Sequence, residues 1–116
     1  MNNAIILTNG ILQHSDAKTA HGLIRGTERF KIVAVVDDEK TAGKDAGEVL
    51  DGTPRNIPIF ASLDSALKTI PNIHYLIIGI ATVGGVLPLP MISIIQKAIR
   101  SGISIVNGLH DYLSDR

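Results

Sequence analysis

The chain has 116 residues, of which 45% are hydrophobic and 3% aromatic, and its 11 basic and 11 acidic side chains give no net charge. This length fits one domain with an aliphatic core and leaves no room for a second full domain. The charge balance, without a basic cluster beside stacking aromatics, argues against a nucleic-acid partner. The absence of cysteine excludes disulfides, thiolate metal sites and thiol nucleophiles. It also fits a cytoplasmic protein, which is what we expect.

The first predicted elements are a strand, a helix and a second strand. The runs AIILT (Ala4–Thr8) and KIVAVVD (Lys31–Asp37) are rich in β-branched residues and apolar on both faces. That pattern is typical of strands in a sheet that is covered on both sides. The segment between them, Ala17–Gly26, is predicted to be a helix with Asp16 as its N-cap and Gly26 at its end.

A polar stretch containing AGKDAGEVL follows the second strand. Its Gly43 and Gly47 indicate a tight backbone from which Lys44 could reach a phosphate; the alternative is a mobile surface loop. The run IPIF (Ile57–Phe60) is predicted to be a third, minor strand. Ser62 then caps a helix whose apolar residues fall on one stripe, namely Leu63, Ala66, Leu67 and Ile70.

The uncharged run Leu76–Ile95 has about the length of a membrane-spanning helix. Two adjacent glycines and two prolines would break such a helix in its middle, and no belt of Trp, Tyr and basic residues flanks it. We therefore predict that the run contains the greater part of a fourth strand, HYLIIGIA, followed by a glycine turn. A helix over Pro88–Ser101 comes next and ends before Gly102. The fifth strand is ISIVNG, and LHDYLSDR begins a further helix.

Strands that alternate with helical segments imply parallel βαβ units with right-handed crossovers. We predict an α/β fold, a Rossmann-like doubly wound parallel sheet of about five strands, as a single domain over residues 1–116. Such sheets bind ligands at the carboxyl ends of their strands, beside the switch point in strand order. Four segments are therefore predicted to lie at this ligand-binding edge: Asn9–Thr19, Asp37–Lys44, Gly79–Gly85 and Asn107–His110.

The loop after the first strand, TNGILQHSDAKTAHGLIR, has one early glycine, Gly10, and no GxGxxG motif. Lys18 and Thr19 lie in the first turn of the next helix, where an ammonium and a hydroxyl can meet an anion. The segment lacks the second glycine of a P-loop. Taken alone, these residues favour a solvated surface lysine and an ordinary helix-start threonine over an anion site.

Two further segments contain candidate ligand contacts. Asp37 ends the second strand, where an acid can accept a hydrogen bond from a ribose 2′-hydroxyl; an ordinary turn residue is an equally supported interpretation. After the fourth strand, small residues permit close approach of a flat or phosphorylated ligand, and here ligand contact is favoured over a purely connecting turn. These small residues are Gly79, Ala81, Gly84 and Gly85.

The histidines indicate neither a catalytic pair nor a metal site. His110 and Asp111 are sequence neighbours, and adjacent residues on a helix point in different directions, so we interpret His110 as a capping or packing residue. The remaining histidines have no metal-site spacing to one another, and we expect no metal; they are His14, His21 and His74.

Several blocks carry resemblances to known families. AGKDAGEVL, NIPIFASLDSAL, HYLIIGIA and IQKAIRSGISIVNGL follow one another as in the CoA-binding Rossmann domain of succinyl-CoA synthetase alpha subunits. Over nearly its whole length the chain more closely resembles the N-terminal domain of a bacterial and archaeal family related to the D-glutamate N-acetyltransferase DgcN. KTAHGLIR, VAVVDDEKTAGKDAGEVLDG, LIIGIATVGGVLP and SGISIVNGLHDYLSD carry this second resemblance.

The second resemblance implies a two-domain protein whose larger, P-loop-like C-terminal domain would follow GLHDYLSD and is absent from this chain. It implies transfer of an acetyl group from acetyl-CoA to a D-amino acid, with most of that machinery in the other domain. This chain alone is then not expected to be catalytic, and we name no catalytic residue. We expect it to bind a small molecule, acetyl-CoA or a nucleotide, at a site lined by Gly10, Lys18, Thr19, Asp37, Gly79, Ala81, Gly84 and Gly85.

The alternative is a non-catalytic scaffold or oligomerisation domain with an empty Rossmann crevice. In that case the apolar segment VLPLPMISII packs against another subunit or against the absent C-terminal domain. We expect a homo-oligomer and no membrane partner. An independent NAD-dependent dehydrogenase is disfavoured, because the chain has no substrate domain and no evident proton-transfer pair.

Overall fold

The structure, a computed structural model, describes residues 2–14, 17–80 and 89–107. Within these ranges five strands pair in parallel in the order β3-β2-β1-β4-β5. The strands are β1 (Asn2–Leu7), β2 (Phe30–Val36), β3 (Ile59–Phe60), β4 (Tyr75–Ile78) and β5 (Ser104–Asn107). The helices are α1 (Lys18–Arg25), α2 (Ala46–Asp51), α3 (Leu63–Thr69) and α4 (Leu89–Arg100). The predicted doubly wound α/β sheet is confirmed.

Strand β1 lies at the centre of the sheet, and its apolar run explains why. Successive strand residues point to opposite faces, yet Ile5, Ile6 and Leu7 are all fully buried. Both faces of the sheet are therefore covered, as the two-sided apolar pattern predicted. In the parallel register Ile6 lies between Val35 of β2 and Ile77 of β4.

Helix α1 connects β1 to β2 and begins later than its predicted cap. Its N-cap residue is Ala17, which has no side-chain oxygen to accept a hydrogen bond, and the predicted cap Asp16 lies outside the described residues. The helix ends at Gly26, as predicted, where the Gly26 N–H donates to the Gly22 carbonyl oxygen at 3.2 Å. Its buried residues are Ala20 and Ile24.

Helix α2 includes the AGEVL part of AGKDAGEVL, a stretch for which a mobile surface loop is the alternative interpretation. Asp45 caps this helix of 6 residues by accepting from the Glu48 N–H at 3.0 Å. The same carboxylate accepts from the Arg55 N–H at 2.9 Å and the Ile57 N–H at 2.7 Å, and so ties the helix to the chain leading into β3. Gly47 is required by packing, since a Cβ there would lie 2.3 Å from the Thr53 carbonyl oxygen.

The caps of the two remaining helices agree with the sequence pattern. Ser62 accepts from the Ser65 N–H at 3.2 Å at the start of α3, as predicted. Gly102 follows α4 with a φ of 81°, a left-handed conformation that glycine adopts without strain. Lys97 of α4 also pairs with Asp64 of α3. The helix predicted in LHDYLSDR lies outside the described residues.

Within the long apolar run Leu76–Ile95, the described residues include the end of β4 and the first half of α4. Among the residues that the structure describes, no helix is both long and apolar enough to cross a membrane.

An ion-pair cluster at the C-terminal end of α2 permits a test of the fold's electrostatics. Arg55 donates two hydrogen bonds to the Asp51 carboxylate, at 2.8 and 3.1 Å. The hydrogen bond from Arg55, helped by the Thr53 N–H and by the charges of Arg55 and Arg25, lowers the pKa of Asp51 to about 2. A carboxylate with a depressed pKa stabilises the fold above its unfolded pKa, and that contribution is lost as the pH falls towards 2.

We expect Arg55→Ala to raise the pKa of Asp51 towards the ordinary value of 3.8. The reason is that the substitution removes both the hydrogen bonds and most of the nearby positive charge. Following the Asp51 carboxyl carbon by NMR between pH 1.5 and 6 measures this shift. Arg100→Ala, which changes an exposed arginine of α4, is the control and should leave Asp51 unchanged. An Asp51 pKa that stays near 2 in Arg55→Ala would show that Arg55 is not the cause.

Candidate functional site

The strand order locates the candidate site. From β1 the chain continues through β2 and β3 on one side of the sheet, and then returns to β4 and β5 on the other. The order therefore reverses between β1 and β4, and ligands of such sheets bind at the carboxyl ends of the strands beside this point. The loops after β1 and β4 form this edge, and of these the structure describes residues 8–14, 17, 79 and 80.

Asp37, the first residue after β2, organises the loop that follows β1. Its Oδ1 accepts hydrogen bonds from the Thr8 hydroxyl at 2.6 Å, the Gly10 N–H at 2.8 Å and the Leu12 N–H at 3.2 Å. Its Oδ2 accepts from the Thr41 hydroxyl at 2.5 Å. Asp37 is only 6% exposed. The buried Asp37 carboxylate therefore fixes the shape of the loop that follows β1.

The turn at the start of this loop uses two left-handed residues. Asn9 has a φ of 52° and Gly10 a φ of 91°, a region that is costly for most side chains but open to glycine. A Cβ on Gly10 would also lie 3.1 Å from Asp38 Oδ2. Gly10 is thus needed to reverse the chain over Asp37, which explains the single early glycine of the loop.

The start of α1 is fixed against the end of β4. The Ala20 N–H donates to the Gly79 carbonyl oxygen at 3.2 Å, and the Gly79 N–H donates to Leu7 of β1 at 3.0 Å. A Cβ on Gly79 would lie 2.6 Å from Ile6 Cγ2 and 2.9 Å from Ala20 Cβ. Gly79 therefore lets helix and sheet meet closely at the switch point.

His21 connects α1 to the loop that follows β1 by a hydrogen bond. Its Nε2 lies 2.5 Å from the Leu12 carbonyl oxygen, so the ring donates a hydrogen bond there. Together with the Asp37 hydrogen bonds, this contact fixes Leu12 through both its N–H and its carbonyl. No three His, Cys, Asp or Glu side chains within residues 2–14, 17–80 and 89–107 lie close enough together to hold a metal ion.

The structure describes five of the eight predicted site residues, and they lie in two contacting groups. Gly10 and Asp37 are in direct contact, and Gly79 contacts the first turn of α1. Lys18 is exposed and Thr19 half-buried in that same turn. The other three predicted residues, Ala81, Gly84 and Gly85, lie outside the described residues.

A groove next to this loop contains residues that the sequence analysis did not single out. It is open, has a volume of about 800 Å³, and its lining includes Gln13, Lys40, Thr41, Lys44 and Glu48. The sequence indicates Lys44 by its reach towards a phosphate, but it gives no such indication for Lys40 or Gln13. Loop residues without periodicity give no signal in the sequence that they share one groove.

Asp45 also lines this groove, but its carboxylate faces the backbone. Burial alone would raise the pKa of Asp45, yet the N–H groups of Arg55, Ile57 and Glu48 together outweigh that effect and lower it. Asp45 is therefore a charged residue whose hydrogen-bonding capacity serves the fold.

Comparison with known proteins identifies the family. A family model described as "Domain of unknown function (DUF1611_N) Rossmann-like domain" matches residues 39–116. The crystal structure of a DUF1611 family protein from Anabaena variabilis ATCC 29413 is similar to this chain, with a TM-score of 0.79 and 34% sequence identity. The similarity covers 100% of this chain and 32% of that one, so this chain spans about a third of that protein's length. No curated protein matches. The chain belongs to the DUF1611 family, as its N-terminal Rossmann-like domain.

Proposed function

We propose that this domain binds a CoA-like ligand at the carboxyl edge of its sheet, as the N-terminal domain of an N-acetyltransferase that transfers an acetyl group from acetyl-CoA to a D-amino acid. Catalysis then requires the rest of the protein, and the domain alone binds without reacting. The proposal rests on the resemblance to the DgcN-related family, and it places the protein in the cytoplasm. One structural observation supports the ligand site most strongly. The loop after β1 is fixed in shape by Asp37, beside the point where the strand order reverses.

The hydrogen bonds of this loop constrain how an anion is held. The Gly10 and Leu12 N–H groups donate to Asp37 and are therefore engaged by the protein itself. A pyrophosphate is thus not clamped by these N–H groups as it is in a GxGxxG turn. We assign anion recognition to the Lys18 ammonium and the Thr19 hydroxyl, together with the small residues predicted after β4, namely Ala81, Gly84 and Gly85.

In this proposal Asp37 acts on the ligand through the loop. Its oxygens accept four hydrogen bonds from the chain itself, and a ribose hydroxyl would have to displace one of them. A role in positioning Gly10 and the chain leading into α1 is therefore better supported than direct ribose contact. Gly79 acts in the same way, by letting α1 approach the end of β4.

The test is thermal unfolding of this chain with CoA, acetyl-CoA, NAD and ATP, each in a separate experiment. A ligand present at a hundredfold excess over its Kd stabilises the folded state by about 2.7 kcal/mol, which raises the Tm by several degrees. We expect this rise with CoA and acetyl-CoA. Lys18→Ala should reduce the rise without lowering the Tm of the ligand-free domain, whereas Lys68→Ala, an exposed lysine of α3, should change neither.

Two results would contradict the proposal. If none of the four compounds raises the Tm, the domain does not bind a nucleotide-like ligand on its own. If Lys18→Ala and Lys68→Ala bind CoA equally well, Lys18 is an ordinary surface lysine.

A second candidate function is supported by the outer face of α4. Leu89 is 78% exposed, Ile99 57% and Ile92 36%, and their spacing places all three on one side of the helix. Such a face fits a scaffold role in which α4 packs against another subunit, as in a homo-oligomer, or against the remainder of the protein. Light scattering distinguishes the two candidates: an oligomer that Leu89→Ser disrupts, combined with no ligand-induced stabilisation, would favour the scaffold.

A further inference from the structure

We propose that the groove between the first loop and α2 binds a phosphate monoester on the ribose of an adenosine coenzyme, with Lys40 and Lys44 as its phosphate ligands. This inference rests on the proposed function, because it assumes that the coenzyme enters at the carboxyl edge. It adds selectivity for coenzymes that carry a ribose phosphate, which the predicted site residues do not supply. The argument concerns the groove of about 800 Å³ described above.

The two lysines are the groove's available cations. Both are exposed and line the groove. Within the described part of the chain, neither takes part in an ion pair of the kind that joins Lys97 to Asp64. Two lysines that line one groove, and that form no ion pair within the described residues with the Asp45 or Glu48 carboxylate of the same lining, favour a ligand of double negative charge such as a phosphate monoester.

The acidic residues of the groove fit a sugar beside the phosphate. Asp45 accepts backbone hydrogen bonds from Glu48, Arg55 and Ile57, so its carboxylate is engaged. Glu48 is exposed on the wall, and its carboxylate can accept a hydrogen bond from a hydroxyl. The lysines can bind a phosphate, and the Glu48 carboxylate can bind a neighbouring hydroxyl. This combination fits a ribose that carries both groups better than it fits inorganic phosphate.

The groove is continuous with the proposed coenzyme site through the Asp37 hydrogen bonds. Thr41 lines the groove and donates to Asp37 Oδ2, while Asp37 Oδ1 holds the first loop by its Gly10 N–H. Gln13, one residue beyond Leu12 in that loop, forms another part of the lining. The groove also lies beyond the end of β2, where Rossmann folds recognise the adenosine ribose and where a basic residue accommodates a ribose phosphate.

The test compares pairs of coenzymes that differ in one ribose phosphate, using isothermal titration calorimetry on this chain. CoA is compared with dephospho-CoA, which lacks the 3′-phosphate, and NADP with NAD, which lacks the 2′-phosphate. We expect CoA to bind about tenfold more tightly than dephospho-CoA, the effect of two exposed charge pairs. In Lys40→Ala/Lys44→Ala this ratio should fall to about one, and in wild type it should shrink at 0.5 M salt because exposed charges are screened.

Lys31→Ala/Lys68→Ala is the matched control, since it removes the same charge from exposed lysines on β2 and α3 and should keep the ratio. Equal binding of CoA and dephospho-CoA to the wild type, with NADP and NAD also equal, would overturn the groove assignment while leaving the proposed function intact. A ratio that persists in Lys40→Ala/Lys44→Ala would likewise overturn it. A preference for NADP over NAD, without CoA binding, would support the groove and contradict the CoA proposal. Binding of none of the four would contradict both.

Discussion

Asp37→Ala is expected to lower the free energy of unfolding of this domain by about 3 kcal/mol or more. The substitution leaves two hydroxyls and two backbone N–H groups without their acceptor, at a position that is only 6% exposed. Each buried polar group left without a partner costs roughly 1–3 kcal/mol, and water entering the space recovers part of that cost. Urea unfolding followed by circular dichroism measures the change.

Two companion variants sharpen this prediction. Asp37→Asn keeps an oxygen for the three donors to Oδ1, and its amide can donate to the Thr41 hydroxyl, so its loss should be about half as large. Asp38→Ala removes a half-exposed neighbouring acid that accepts from the Lys40 N–H, and should cost less than about 1 kcal/mol. If Asp37→Ala is no more destabilising than Asp38→Ala, the carboxylate does not organise the loop.

Gly79→Ala is expected to destabilise the domain by about 1–3 kcal/mol, which is typical of overpacking in a filled core. The new methyl group would lie 2.6 Å from Ile6 Cγ2 and 2.9 Å from Ala20 Cβ. Both distances are too short for carbon atoms, so the Ile6 side chain must shift and the start of α1 must move away from the end of β4. Because Lys18 and Thr19 lie in the first turn of α1, this variant should also weaken CoA binding.

Gly22→Ala is the matched control for Gly79→Ala. Gly22 lies in α1, the helix that Gly79 contacts, and a Cβ there would meet nothing within 4 Å. Alanine favours the helix over glycine by up to about 1 kcal/mol, so Gly22→Ala should be neutral or stabilising. The two variants are compared by their urea midpoints. Equal midpoints for Gly79→Ala and Gly22→Ala would mean that the contact between β4 and α1 is not tight.

The fold was largely predictable, because apolar runs and capping residues are local signals. The apolar run at the end of β1 predicted a strand buried on both faces, and Ser62 predicted the start of α3. Helix α2 was missed because its 6 residues make fewer than two turns, too short for a stripe of apolar residues to be visible. Its main determinant is Asp45, which accepts hydrogen bonds from the N–H groups of Glu48 and Ile57. Glu48 lies in α2 and Ile57 shortly before β3, and they come together only in the folded chain.

The candidate site was predictable in position but not in the roles of its residues. Asp37 is recognisable from the sequence as the acid at the end of β2, but nothing local indicates that Thr8 would donate to it. That contact follows from the parallel pairing of β1 with β2, which brings the ends of two distant segments together. Gly79 was likewise recognised as a small residue near a ligand, while its close packing against Ala20 is a tertiary contact.

The central claim is that the carboxyl edge of this sheet holds a CoA-like ligand. Amide chemical shifts of the 15N-labelled chain, recorded during titration with CoA, test it most directly. We predict saturable changes at Gly10, Lys18 and Thr19, with no change at Ser65 on α3. Changes confined to the exposed face of α4, or no change at millimolar CoA, would contradict the claim.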